Sequence, residues 1–222
     1  MRKTKNSKMF STKTMVLVAI MTALVVVLQL LGSFIRLGAF SISLVLIPIV
    51  IGAAVCGVWA GAWLGFAFGI TVLLSGDAAA FLVINPFGTI VTVLLKGAMA
   101  GLAAGIAYKY LSVGCAKLLE KRTVTDKKWL DKTIEITLKF LPVVAAALAC
   151  PIVNTGIFLV GCRVFFYETI AAWGAALGYE NAAEYMFVGL AGINFLVELV
   201  TNALLAPVVV RLLAIKNKIF KF

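Results

Sequence analysis

Apolar residues run almost unbroken along this chain, and what divides them is mostly glycine, proline and lysine. A membrane-crossing helix needs about 20 apolar residues, each adding about 1.5 Å to a path through about 30 Å of hydrocarbon. Six such runs stand out. The first covers 14–31 and the second 43–56, with Pro48 inside it; a short turn at 57–61 leads into a third that ends at 74. The fourth opens at Pro86, since proline suits a first helical turn, and continues to 110. The fifth covers 134–160 and the sixth 188–215, and a hydrophilic stretch at 112–131 separates the fourth from the fifth. The pattern predicts an all-α, polytopic membrane protein: one domain over 1–222, a bundle of six transmembrane helices, with a cytoplasmic basic N-terminus at 1–12 and a cytoplasmic basic linker at 112–132.

Composition agrees. Of 222 residues 63% are hydrophobic and 13% charged, and mean hydropathy is +1.11, whereas soluble domains are about 45–50% apolar and about 25% charged. The net charge of +11 would suggest nucleic acid in a soluble protein, but its distribution has a different meaning here. Seventeen of the 20 lysines and arginines fall in the N-terminal segment, in or beside the link between helices four and five, and at the C-terminal end. Positive charge collects in cytoplasmic loops, so both termini are expected to be cytoplasmic, in a bacterial-type plasma membrane, with no nucleic-acid partner. The first apolar run is longer than the core of a signal peptide and lacks a clear cleavage site, so it is expected to be retained.

Chemistry is limited by what is missing. The chain has no histidine, which removes the usual general base and the commonest metal ligand, and it has no G-x-x-x-x-G-K-[ST] phosphate loop. Cys56, Cys115, Cys150 and Cys162 show no C-x-x-C spacing. No enzyme activity, cofactor or metal is expected.

Lipid tails are as apolar as leucine, so helices must associate through close packing and polar contacts. Small residues recur at four-residue spacing: Ala19 and Ala23 on helix one; Gly57, Gly61, Gly65 and Gly69 on helix three; Gly97, Gly101 and Gly105 on helix four. The glycine ladders are expected to pack helices of this chain together, while the Ala19/Ala23 face is open to another membrane protein. Polar residues inside a bilayer are costly and mark a site or a path. Helix four carries Asn85, Thr89, Thr92 and Lys96, and helix six carries Asn194, Glu198 and Asn202. Lys96 and Glu198 lie about 15 and 14 Å from the outer ends of their helices, either as a structural ion pair or at the floor of a ligand pocket. Gln29, Asn154 and Thr155 would complete a polar lining nearer the outer surface. The outer connections add Arg36, Asp77, Arg163 and aromatics including Tyr167, Trp173 and Tyr185, which suit an interfacial belt, while Trp59 and Trp63 look like inner anchors. The long 163–187 connection suits a lid or binding element.

Taken in order, the basic N-terminus, Ala19-x-x-x-Ala23, the Leu46-Ile47-Pro48-Ile49-Val50-Ile51-Gly52 run, the Gly57–Gly61 turn, Asn85-Pro86 and a sixth helix with Asn194, Glu198 and Asn202 resemble the substrate-binding S components of energy-coupling factor (ECF) vitamin transporters. The resemblance implies a subunit that captures a vitamin or similar micronutrient from outside, then joins a transmembrane coupling protein and two ABC ATPase subunits. The family's docking motif maps onto Ala19 and Ala23, and its pocket onto the outer ends of helices four to six. The expected substrate-binding residues are Arg36, Asn85, Thr89, Lys96, Asn154, Arg163, Asn194 and Glu198. Three of these are cations, Arg36, Lys96 and Arg163, and they favour an anionic ligand. The competing expectation is a self-sufficient ion- or proton-coupled transporter with Glu198 or Asp77 as carrier, although many such proteins show internal repeats and no convincing repeat relates these halves.

Overall fold

Glycine at every fourth position leaves a helix with a flat strip of bare backbone, and two such strips meet at the centre of this protein. The computed structural model describes residues 12–34, 36–37, 40–41, 44–120 and 128–219. Helix α1 spans Thr12–Gly32, followed by two-residue antiparallel strands β1 (Arg36–Leu37) and β2 (Phe40–Ser41), with Arg36 opposite Ser41. Then come α2 (Leu46–Cys56), α3 (Val58–Leu74), a short α4 (Ala79–Ile84) and the long α5 (Pro86–Glu120). Helices α6 (Lys128–Phe165), α7 (Tyr167–Ala176) and α8 (Ala182–Glu184) lead into a π-helical segment, Tyr185–Gly192, and then α9 (Ile193–Ile219).

The glycine strips belong to α3 and α5. A Cβ placed on Gly65 would fall on the Gly97 carbonyl oxygen, and one on Gly97 would fall on the Gly65 carbonyl. Gly61 and Gly101 repeat this reciprocal contact one turn along, and a Cβ on Gly105 would lie 2.6 Å from Val58 Cα. The two backbones touch directly, which maximises dispersion contact where no hydrophobic drive exists between helices in lipid. Around this seam the main core gathers Val25, Leu46, Ile49, Leu64, Phe68 and Ala100, all essentially inaccessible. Between α2 and α3 the chain reverses at Gly57, whose φ of 102° is a left-handed conformation that other L-residues rarely adopt.

A second core forms under α7. Phe81 of α4 meets Phe166 edge-on at 5.0 Å and Trp173 at 5.6 Å between ring centroids, and Ile170 is fully buried. The 163–187 connection is therefore largely helical and packed, with Tyr185 inside this core and Trp173 packed against it. Likewise, much of the stretch expected as a 112–132 linker is helix, because Ala116, Lys117, Leu118, Leu119 and Glu120 are strong helix formers that extend α5. Lys139 pairs with Glu135 one turn away on α6, which supports that helix near its start.

Among the described residues four stretches are long and apolar enough to cross a membrane: Thr12–Gly32, Pro86–Glu120, Thr133–Phe165 and Ala182–Arg211. The 11 residues of α2 rise only about 16 Å, and α3, with 17 residues, about 26 Å. The sixth apolar helix begins earlier than expected, at Ala182, and passes through the π-helical turn before regular α-geometry resumes.

Replacing Gly65 or Gly101 by leucine is expected to cost about 3 kcal/mol or more, because the clash is with backbone and no rotamer relieves it. Thermal unfolding of the purified protein in detergent checks this. In the same assay Gly114→Ala, whose added methyl meets nothing within 4 Å, should be neutral or stabilising by about 0.5–1 kcal/mol.

Candidate functional site

The later residues of α1, α3 and α6 and the early residues of α5 and α9 come together at one end of the bundle, away from the α5–α6 link. There they enclose a cavity of about 90 Å³. Gln29 enters from α1, Phe68 and Val72 from α3, and Asp77 and Phe81 from the α3–α4 turn and α4. Helix α5 contributes Thr89, Thr92 and Lys96, and α6 contributes Asn154, Thr155, Phe158 and Cys162. Asn194, Phe195 and Glu198 come from α9.

Local chemistry explains how these side chains are held. Asn85 precedes α5 and its Oδ1 accepts the Gly88 N–H at 2.9 Å, an N-cap that satisfies one of the helix's orphan donors. Thr89 donates its hydroxyl to the Asn85 carbonyl at 2.8 Å. Gln29 Nε2 donates to Asp77 Oδ2 at 2.6 Å, joining α1 to the α3–α4 turn across 48 residues of sequence. Asn202 is spent within its own helix, donating Nδ2–H to the Glu198 carbonyl at 2.8 Å.

Among the described residues three oxygens are left over. Thr92 Oγ1, Asn154 Oδ1 and Asn194 Oδ1 are buried and have no hydrogen-bond partner, and all three residues line the cavity. Buried polar groups are almost always satisfied, and each exception calls for an explanation. Lys96 brings a cation into the same space. Its ammonium lies 5.7 Å from the Phe68 ring centroid and 5.4 Å from that of Phe158, within cation–π range, and it feels the charges of Glu198 and Asp77. Among the described residues the lining thus includes the cation of Lys96 and the carboxylates of Asp77 and Glu198.

Of the expected binding residues, Thr89, Lys96, Asn154, Asn194 and Glu198 meet in one cavity. Asn85 stands outside the lining because its side-chain oxygen caps α5. Arg163 also lies outside it, exposed and stacked 3.9 Å over the Tyr167 ring. Arg36 has its backbone in β1, and its side chain falls outside the described residues. Ala19 and Ala23 are exposed on α1. Trp63, exposed as expected of an anchor, also donates its indole N–H to Thr22 Oγ1 at 3.2 Å.

The aromatic wall of Phe68, Phe81, Phe158 and Phe195 was missing from the sequence expectation. A signal existed on α6, where Asn154, Phe158 and Cys162 recur at four-residue spacing and so share a helix face. Phe81 offered none, because α4 is a six-residue helix in what reads as a loop.

Replacing Lys96 by methionine should destabilise the protein by about 3 kcal/mol by removing the cation that interacts with buried Glu198. The double variant Lys96→Met with Glu198→Gln should recover much of that loss. Equal damage in single and double variants, read by thermal unfolding, would show that the two charges are uncoupled.

A family model described as "ECF transporter, substrate-specific component" matches residues 13–210. A solved structure of ThiT from Listeria monocytogenes is similar in fold, with a TM-score of 0.63 at 19% sequence identity, over 89% of this chain and 93% of that one. Among curated proteins none matches.

Proposed function

The chain belongs to the ECF transporter substrate-specific component family, and on that footing we propose that it captures a vitamin or similar micronutrient from outside the cell and hands it to an ATP-driven coupling module. The observation that carries this reading is the cavity with its three unpartnered buried oxygens. A site that already satisfied its own polar groups would gain little from a ligand, whereas this one gains the hydrogen bonds it lacks. In this reading all six apolar helices cross or enter the membrane, both termini are cytoplasmic, and the cavity end of the bundle faces out. Thr89, Lys96, Asn154, Asn194 and Glu198 act on the substrate.

The partner chemistry follows from the family. A transmembrane coupling protein would dock on the Ala19/Ala23 face, which is bare and formed by small side chains, and two ABC ATPase subunits would supply the energy. An anionic ligand was expected from three cations. Of these, Lys96 lines the cavity and supports it, Arg163 is turned to Tyr167, and the Arg36 side chain falls outside the described residues.

Ala19→Trp should lower ATP-dependent uptake at least ten-fold in cells that also express the coupling module, while ligand binding to the purified subunit is unchanged. Loss of binding as well would make the Ala19 face an internal packing surface. Uptake driven by an ion gradient in vesicles containing this chain alone would overturn the importer reading in favour of a secondary transporter.

A further inference from the structure

Threonines on the helices of this protein commonly turn back on their own backbone. Thr22, Thr71, Thr89, Thr133 and Thr137 each donate to the carbonyl four residues earlier, at 2.8–3.0 Å, the local bond open to a hydroxyl inside a helix. Thr92 on α5 does not. Its hydroxyl is buried with no partner, although the Gly88 carbonyl stands four residues behind it in the same helix.

The cause lies on α6. The three atoms nearest to a Cβ built on Gly161 all belong to Thr92: Cγ2 at 2.3 Å, Oγ1 at 2.4 Å and Cβ at 2.9 Å. Both branches of the threonine therefore reach across the helix interface into space that a side chain at 161 would occupy. Any such side chain would drive at least one branch into another staggered position. Thr92 is 5% exposed and lines the cavity beside Asn154 and Asn194. A local hydrogen bond has been given up for this orientation, and a buried hydroxyl left unpaired is destabilising until a partner arrives. Because a hydroxyl both donates and accepts, it can meet either kind of polar atom.

We infer that Thr92 touches the substrate and that Gly161 is a positioning residue, keeping the Thr92 hydroxyl off its own helix and available to the cavity. This deepens the importer reading and rests on its assignment of the cavity as the substrate site. The probes are riboflavin, thiamine, biotin, pantothenate, nicotinate and pyridoxine, offered to the purified full-length chain in detergent with affinity read by calorimetry. The one bound most tightly by the unaltered chain is carried through the variants, and thermal unfolding without added vitamin is recorded for each.

Thr92→Val keeps the shape and deletes the hydroxyl, so binding should weaken about ten-fold while the melting temperature of the unloaded chain holds or rises. Thr71→Val, at a residue equally buried but bonded within its own helix, should leave affinity within about two-fold. Thr92→Ser keeps the hydroxyl and should bind within about three-fold of the unaltered chain. Adding Gly161→Ala to Thr92→Ser separates positioning from packing. The lone Oγ can rotate away from the new methyl, so the melting temperature stays near that of Thr92→Ser, but the hydroxyl has left its place and affinity falls about ten-fold.

Unchanged affinity in Thr92→Val overturns the substrate contact, and a double variant that binds as tightly as Thr92→Ser overturns the positioning role of Gly161. If the double variant does not fold, equal affinity of Thr92→Val and Thr92→Ser overturns the inference. In each of these cases a vitamin is still bound and the importer reading stands. Binding of none of the six by the unaltered chain overturns the cavity assignment, and the inference with it.

Discussion

The direct contact between the backbones of α3 and α5 is the constraint on which the other helices are arranged. Gly61 against Gly101 and Gly65 against Gly97 leave no space for a side chain between them, so the two helices are locked in both register and rotation. Rotation matters most for α5. Its residues 93, 97, 101 and 105 face α3, and Thr92 and Lys96 lie one helical position away, about 100° around the axis, which turns them towards α6. There Gly161 permits an equally close approach, since a Cβ on it would collide with the Thr92 side chain. Helix α5 is thus gripped on two sides, and its polar residues are held in place by glycines that carry no chemistry of their own.

That rigidity lets the cavity remain polar. An unsatisfied buried group costs about 1–3 kcal/mol, and whole domains are stable by only about 5–15 kcal/mol, so three such oxygens take a substantial part of the total. Flexible walls would close on one another and satisfy these groups internally, as Asn202 does with the Glu198 carbonyl. The bundle tolerates the cost at one end while the remainder, sealed by glycine contacts and the core around Phe68 and Ile49, holds the backbone apart.

The helical character of the chain, the glycine ladders and the meeting of Thr89, Lys96, Asn154, Asn194 and Glu198 at one cavity were legible because each depends on periodicity along one helix. Thr89 and Lys96 on α5 and Asn194 and Glu198 on α9 are in register with the helix repeat, so they reach the same cavity. Asn85 stands outside the lining because an asparagine before Pro86 is also a good N-cap, and its side-chain oxygen is taken by the Gly88 N–H. Arg163 lies away from the lining because a charge in a connection says nothing about which way the chain turns after it, and Tyr167, four residues on, offers it a ring face. Phe81 and the packing of Trp173 depend on α4 and α7 folding back over the bundle, a long-range event without a local pattern. The extension of α5 through Glu120 was hidden by its polarity and by Gly114, although Ala116 to Glu120 are strong helix formers.

The hydrogen bond from Gln29 to Asp77 has a thermodynamic consequence. Gln29 is ten residues beyond Ala19 on one uninterrupted helix, so the proposed docking face and a cavity wall are two ends of the same rod, about 15 Å apart. If docking displaces that rod, the cavity's affinity changes, and by linkage occupancy of the cavity must change the strength of docking by the same factor. The two free energies cannot be set independently. An S component with this connection would distinguish loaded from empty without any dedicated sensor, because α1 is part of both events.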